Sequence, residues 1–145
     1  MSMTHTRDGA AALARLRRAL ADGSLADLAE RHGLALMVLF GSAADPRETS
    51  PGDLDLAVAW KSGTGTGDVV GVTSDLLALL GDGVDVLDLD RGSPVVRQRA
   101  LTCGEVLLER EAGAFATRQM MAIRDHVDTA HLRRRQLELL TEPRP

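Results

Sequence analysis

Leu34 to Phe40 is an uninterrupted run of seven apolar residues bounded by Gly33 and Gly41. Such a run is short for a helix, and glycine at both ends limits its extension, so it is expected to be a buried β-strand. A second strand is expected from Asp53 to Trp60, after loop chemistry at residues 45–52 that includes Pro46, Pro51 and Gly52. Whatever this chain folds into must contain a small sheet centred on these two segments.

The flanking sequence supplies helices. Residues 7–20 carry apolar positions at Ala12, Leu13, Leu16 and Leu20 and stop at Asp22-Gly23. Ser24 is expected to cap a short helix over residues 25–31, which Gly33 closes. A Gly/Thr/Ser tract, residues 61–67, precedes a helical pattern at Val69, Val72, Leu76 and Leu80. Val84 to Asp90 is expected as a third strand, Ser93-Pro94 opens a helix in the favoured order of cap then proline, and residues 104–109 make a fourth strand. Residues 112–140 are expected as one long helix. Its apolar stripe, Ala116, Met120, Ile123, Val127, Ala130 and Leu137 with Arg134 interrupting, is assigned to core packing, with part of it left for a partner.

With 145 residues the chain is expected to be a single domain, 1–145, with a core at about 34–110, N-terminal helices at 7–31 and a C-terminal helix at about 112–140. Basic residues number 17 against 21 acidic, a net charge of −4, which disfavours direct nucleic-acid binding through a broad phosphate grip. Cys103 is the one cysteine, so no intrachain disulfide forms, and no stretch approaches the length of a membrane span. A cytoplasmic protein is expected.

The chemistry concentrates where Gly41-Ser42 ends the first strand and, ten residues on, Asp53-Leu54-Asp55 opens the second. The side-chain period of a strand is two, so Asp53 and Asp55 share one face while Leu54, Leu56 and Val58 take the other. Adjacent carboxylates repel, and Mg²⁺, a hard cation with oxygen ligands, is the natural occupant between them. A third carboxylate on a neighbouring strand would complete a two-ion site, with Asp85 the leading candidate and Asp88 second. Asp-x-Asp by itself is weak, since it recurs at residues 88–90, and Gly-Ser recurs at Gly23-Ser24 and Gly92-Ser93. The weight rests on the conjunction of strand end, Gly-Ser, fixed spacing and a third acidic strand.

Gly41-Ser42, Asp53-Leu54-Asp55-Leu56-Ala57-Val58 and Val84-Asp85-Val86-Leu87-Asp88-Leu89 resemble the minimal nucleotidyltransferases of the polymerase-β superfamily. Pro94-Val95-Val96-Arg97 through Gly104-Glu105-Val106-Leu107-Leu108-Glu109 is similar to the bacterial antitoxins paired with HEPN ribonuclease toxins. The resemblance covers about Leu34 to Arg110. It implies an α/β (α+β) nucleotidyltransferase fold with a small mixed sheet flanked by helices, two Mg²⁺ ions, ATP as substrate, and transfer of AMP to a tyrosine hydroxyl of a HEPN toxin. By position it implies Gly41 and Ser42 for the phosphates, Asp53 and Asp55 as metal ligands, and Asp85 as the third carboxylate. Asp45-Pro46 stands where Arg-Gly is common and Gly52 where Ser is usual, and an acid beside the triphosphate is expected to weaken nucleotide binding. Two other readings compete: a non-catalytic antitoxin that neutralises by binding, and a transferase acting on a small molecule such as an aminoglycoside.

Overall fold

The computed structural model describes residues 9–44, 52–64 and 67–141. Leu34–Phe40 forms β1, and all seven of its residues are buried. The reason is its place in the sheet, between β2 (Leu54–Trp60) and β4 (Glu105–Glu109), both antiparallel to it. β3 (Val84–Asp88) runs parallel to β2 at the far edge, giving the order β3-β2-β1-β4. The sheet is therefore mixed, and its one parallel pair is β2 with β3.

Helices cover both faces of the sheet. On one, α1 (Gly9–Asp22), α2 (Ser24–His32) and α3 (Val69–Leu80) pack on Met37, Leu39, Leu54, Leu56 and Val58. Their buried residues fall at helical spacing: Ala12, Leu16 and Ala19 on α1, Val72, Leu76 and Leu80 on α3. On the other face, α4 (Pro94–Cys103) and α5 (Ala114–Thr141) supply Ala100, Leu101, Ala114 and Ala122 against Leu36, Val38, Phe40, Ala57 and Ala59. A fully buried leucine such as Leu36 contributes about 1.5–3 kcal/mol relative to exposure. This two-sided burial is why β1 lacks the apolar–polar alternation of a half-exposed strand.

Several ends differ from the expectation. Ser24 does not cap α2: Gly23, with φ 88°, takes the cap position, and the Ser24 hydroxyl and N–H donate instead to the Asp22 carboxylate. α4 starts as the sequence suggests, with Ser93 Oγ accepting from the Val96 N–H at 3.4 Å and Pro94 at the first helical position. β3 stops at Asp88, two residues short of the expected end. Of the tract at 61–67, residues 65 and 66 lie outside the described residues, and Ser62 is fixed through its N–H and hydroxyl to Glu111.

On α5 the stripe expected to serve core packing, with part left for a partner, divides: Met120, Ile123 and Val127 are 72%, 44% and 62% exposed and belong to the part left outside the core. The helix meets its own sheet through small and polar residues instead: Ala114 and Ala122 are buried, Arg118 donates to Asp90 Oδ1, the Ala114 carbonyl and the Trp60 carbonyl, and Gln119 donates to the Leu101 carbonyl. Small side chains let the helix lie close to α4, which turns the larger apolar residues outward.

Candidate functional site

The end of β1 places Gly41 beside the start of β2, because Phe40 is paired with Asp55. Gly41 opens a 3-10 turn, Gly41–Ala44, with φ 74°, a backbone shape that favours glycine. A Cβ added there would overlap Oδ2 of Asp55, so the missing side chain is what lets the Asp55 carboxylate lie against the turn. Ser42 occupies the second position of that turn. Asp45 and Pro46, where the sequence departs from the pattern it resembles, lie outside the described residues.

Asp55 stands opposite Asp85 in the parallel β2–β3 register, which sends both carboxylates to the same face of the sheet. Asp53, expected to open the strand, lies just before β2 and close enough for its charge to act on Asp55. Backbone pairing fixes the local geometry: the Leu54 N–H donates to the Gly83 carbonyl at 2.6 Å, between the two acids of the motif. Asp85 is exposed, and Asp53 and Asp55 are half-buried. Partial burial holds the Asp55 carboxyl above its ordinary range, and the negative charges of Asp85 and then Asp53 push it further the same way. Three acids thus gather where β2 starts beside β3, and their mutual repulsion falls on Asp55.

That donor set suits a hard cation. No three His, Cys, Asp or Glu side chains among the described residues converge closely enough to ligate one ion by themselves. Mg²⁺ does not need them to, since it binds through one or two carboxylates together with phosphate oxygens and retained waters. Asp53, Asp55 and Asp85 fit that mode, with Gly41 letting the Asp55 carboxylate lie against the turn after β1.

Asp88 stands apart from this group. Its register partner is Val58, so it belongs to the opposite face, where it is only 9% exposed. Its Oδ1 accepts from the Asp90 N–H at 2.9 Å and its carbonyl accepts from Arg91 and Gly92, which makes it the pivot of the turn after β3. Asp90, expected on the same face as Asp88, turns the other way because the strand has already ended. Its Oδ2 accepts from the Trp60 N–H at 3.2 Å and its Oδ1 from Arg118 Nε at 3.1 Å. Sequence reasoning missed this anchor, for which no local pattern exists: Asp90 and Arg118 are joined only in the fold. A cavity of about 410 Å³ opens at the far end of β2 among Ser62, Leu89, Arg97, Leu101, Glu111 and Met121, and none of the three carboxylates borders it.

Residues 24–112 match the family described as Polymerase beta, Nucleotidyltransferase, which is more than half of the chain and spans every residue of the site above. The chain belongs to the polymerase β nucleotidyltransferase family. Among solved structures, this nucleotidyltransferase is similar in fold to a chain of a toxin-antitoxin with AMP-PNP, at 21% identity and TM-score 0.67, covering 83% of this chain and 98% of that one. It is similar to a chain of the tri-AMPylated Shewanella oneidensis HEPN toxin in complex with MNT antitoxin, at 22% identity and TM-score 0.64, covering 85% and 98%. A chain of the toxin-antitoxin MntA-HepT gives 21% identity and TM-score 0.63 over 85% and 98%. No curated protein matches the sequence. The expected mixed sheet flanked by helices is the fold observed.

Proposed function

We propose that this nucleotidyltransferase transfers AMP from ATP to a hydroxyl of a HEPN-type toxin and acts as its antitoxin. The observation that carries the reading is the in-register pairing of Asp55 with Asp85, with the Asp53 charge acting on Asp55 and the bare Gly41 turn against it. Polymerase β family membership supports the reaction class. The fold similarity to chains from a toxin-antitoxin with AMP-PNP and from a complex with an AMPylated HEPN toxin supports ATP as donor and a toxin as acceptor.

In this reading Asp53 and Asp55 hold Mg²⁺, and Asp85 shares in binding it. When bound, that ion neutralises phosphate charge and activates the acceptor oxygen. Gly41 and Ser42 hold the β and γ phosphates through the turn that follows β1. Asp85, the most exposed of the three acids, takes the proton of the acceptor hydroxyl as its oxygen forms a bond to the α phosphorus. The bond from the α phosphorus to the bridging oxygen breaks, and pyrophosphate leaves. The chain contains no tyrosine, so a tyrosine acceptor has to come from a second protein.

The test mixes the full chain with Mg²⁺, ATP and the product of its neighbouring gene, taken in this reading to be the HEPN toxin, and reads the intact mass of that partner. A gain of one or more AMP units, absent with Asp53→Asn, is expected. A stable complex with no mass change would overturn the transferase reading in favour of neutralisation by binding alone.

A further inference from the structure

α5 is 28 residues long, about 42 Å at the helical rise, yet its buried side chains among the described residues, Ala114 and Ala122, lie in its first third. The outward face is patterned. Ala116, Met120, Ile123, Val127, Ala130 and Arg134 follow one another at alternating steps of four and three, and Leu137 continues the series. This is a heptad seam with Met120, Val127 and Arg134 at the a positions and alanine or a larger aliphatic residue at d. Met120, Ile123, Val127 and Arg134 are all exposed. A seam of this length and period is more than scattered surface apolarity.

The residues on the seam also say what fits it. A second copy of the chain is a poor occupant: parallel pairing would stack Arg134 on its own counterpart, and antiparallel pairing would bury its guanidinium against Ile123 or Ala116. Ala116 and Ala130 leave shallow holes that only large side chains fill. We propose that the outward face of α5 is the docking seam for an amphipathic helix of a different protein, one that presents bulky apolar residues opposite Ala116 and Ala130 and a carboxylate opposite Arg134. Taking that protein to be the HEPN toxin rests on the preceding reading; the seam and the chemistry of its occupant do not.

The experiment measures the affinity of the full chain for the product of its neighbouring gene, taken on the preceding reading to be the HEPN toxin, by titration calorimetry, for the wild type, Met120→Asp/Val127→Asp, Arg134→Glu and, as a control on exposed α3 surface, Val70→Ser. The seam double variant is expected to bind at least ~30-fold more weakly and Arg134→Glu at least ~10-fold more weakly, the range of interface hot spots, while Val70→Ser binds as the wild type does. The substituted seam residues are exposed, and circular dichroism confirms that the variants are folded. Wild-type affinity in the double variant overturns the proposal. So does a stable homodimer of the free chain, seen by light scattering, that the double variant abolishes, because the seam would then belong to a second copy. A complex that forms, depends on the seam and yet gains no AMP leaves the docking proposal standing and removes only the transferase reading.

Discussion

Gly41 and Asp55 are packed so closely that the turn after β1 has no room for even one methyl group beside the Asp55 carboxylate. The backbone of Gly41 is also left-handed, with φ 74°. Gly41→Ala is therefore expected to cost about 1–2 kcal/mol from backbone conformation alone. It should also push the Asp55 carboxylate from its place, so AMP transfer falls further than the loss of folded protein explains. Urea unfolding and partner mass measured on the same preparation check this; a variant as stable and as active as the wild type would refute the packing argument.

Asp55→Asn should stabilise the metal-free protein near neutral pH. Burial and two neighbouring acids hold the Asp55 carboxyl above its ordinary range in the folded state. The folded state therefore keeps a proton that the unfolded chain releases as pH rises from the ordinary value to the raised one. Stability falls over that window and stays lowered above it, whereas in stronger acid both states are protonated and the penalty vanishes. Thermal melts in chelator are expected to show the variant above the wild type at neutral pH and the two converging in acid. Mg²⁺ should raise the wild-type midpoint and leave the variant nearly unmoved.

Asp85 and Asp88 lie three residues apart on one strand and on opposite faces of the sheet, so their variants should fail differently. Asp85→Asn is expected to keep its melting temperature and lose at least ~10²-fold in transfer rate, the scale of a lost proton acceptor. Asp88→Ala removes the acceptor for the Asp90 N–H in a nearly buried turn, which costs about 1–3 kcal/mol and leaves the transfer rate per folded molecule unchanged. If the two variants exchanged these phenotypes, the face assignment of β3 would be wrong.

Arg118 joins three elements: it reaches Asp90 after β3, the Trp60 carbonyl at the end of β2, and the Ala114 carbonyl within α5. Arg118→Met keeps the aliphatic stem and removes all three hydrogen bonds. A loss of about 1–3 kcal/mol is expected. Hydrogen exchange should accelerate over residues 114–122 ahead of the sheet, whereas uniform acceleration across the chain would place the anchor elsewhere.

The parts of this fold that were legible in the sequence are those with a local cause. β1 and β2 announced themselves through an apolar run and an acid-led alternation, and α4 through Ser93-Pro94. The juxtaposition of Asp55 with Asp85 followed once β3 was placed beside β2. What could not be read was a competition between partners, some local and some joined only in the fold. Ser24 looked like a cap, but Asp22 sits two residues away and claims its hydroxyl, so Gly23 takes the position. Asp90 looked like a further strand residue until the early end of β3 released it toward Arg118. How the α5 stripe divides between core and exposed surface was not legible, because periodicity reveals that a face is apolar, not which surface covers it. Ala114 and Ala122 took the core role for the chain itself, being small enough to bring the helix close.

Trp60 ends β2 with its ring buried, its backbone N–H donating to Asp90, its carbonyl accepting from Arg118 and Gly67 lying so close that a methyl group there would meet the indole. The chain has one tryptophan and no tyrosine. Its near-ultraviolet emission therefore comes from a single indole at the junction of the sheet with its longest helix. Strain arriving along α5 becomes an optical signal from the unlabelled protein.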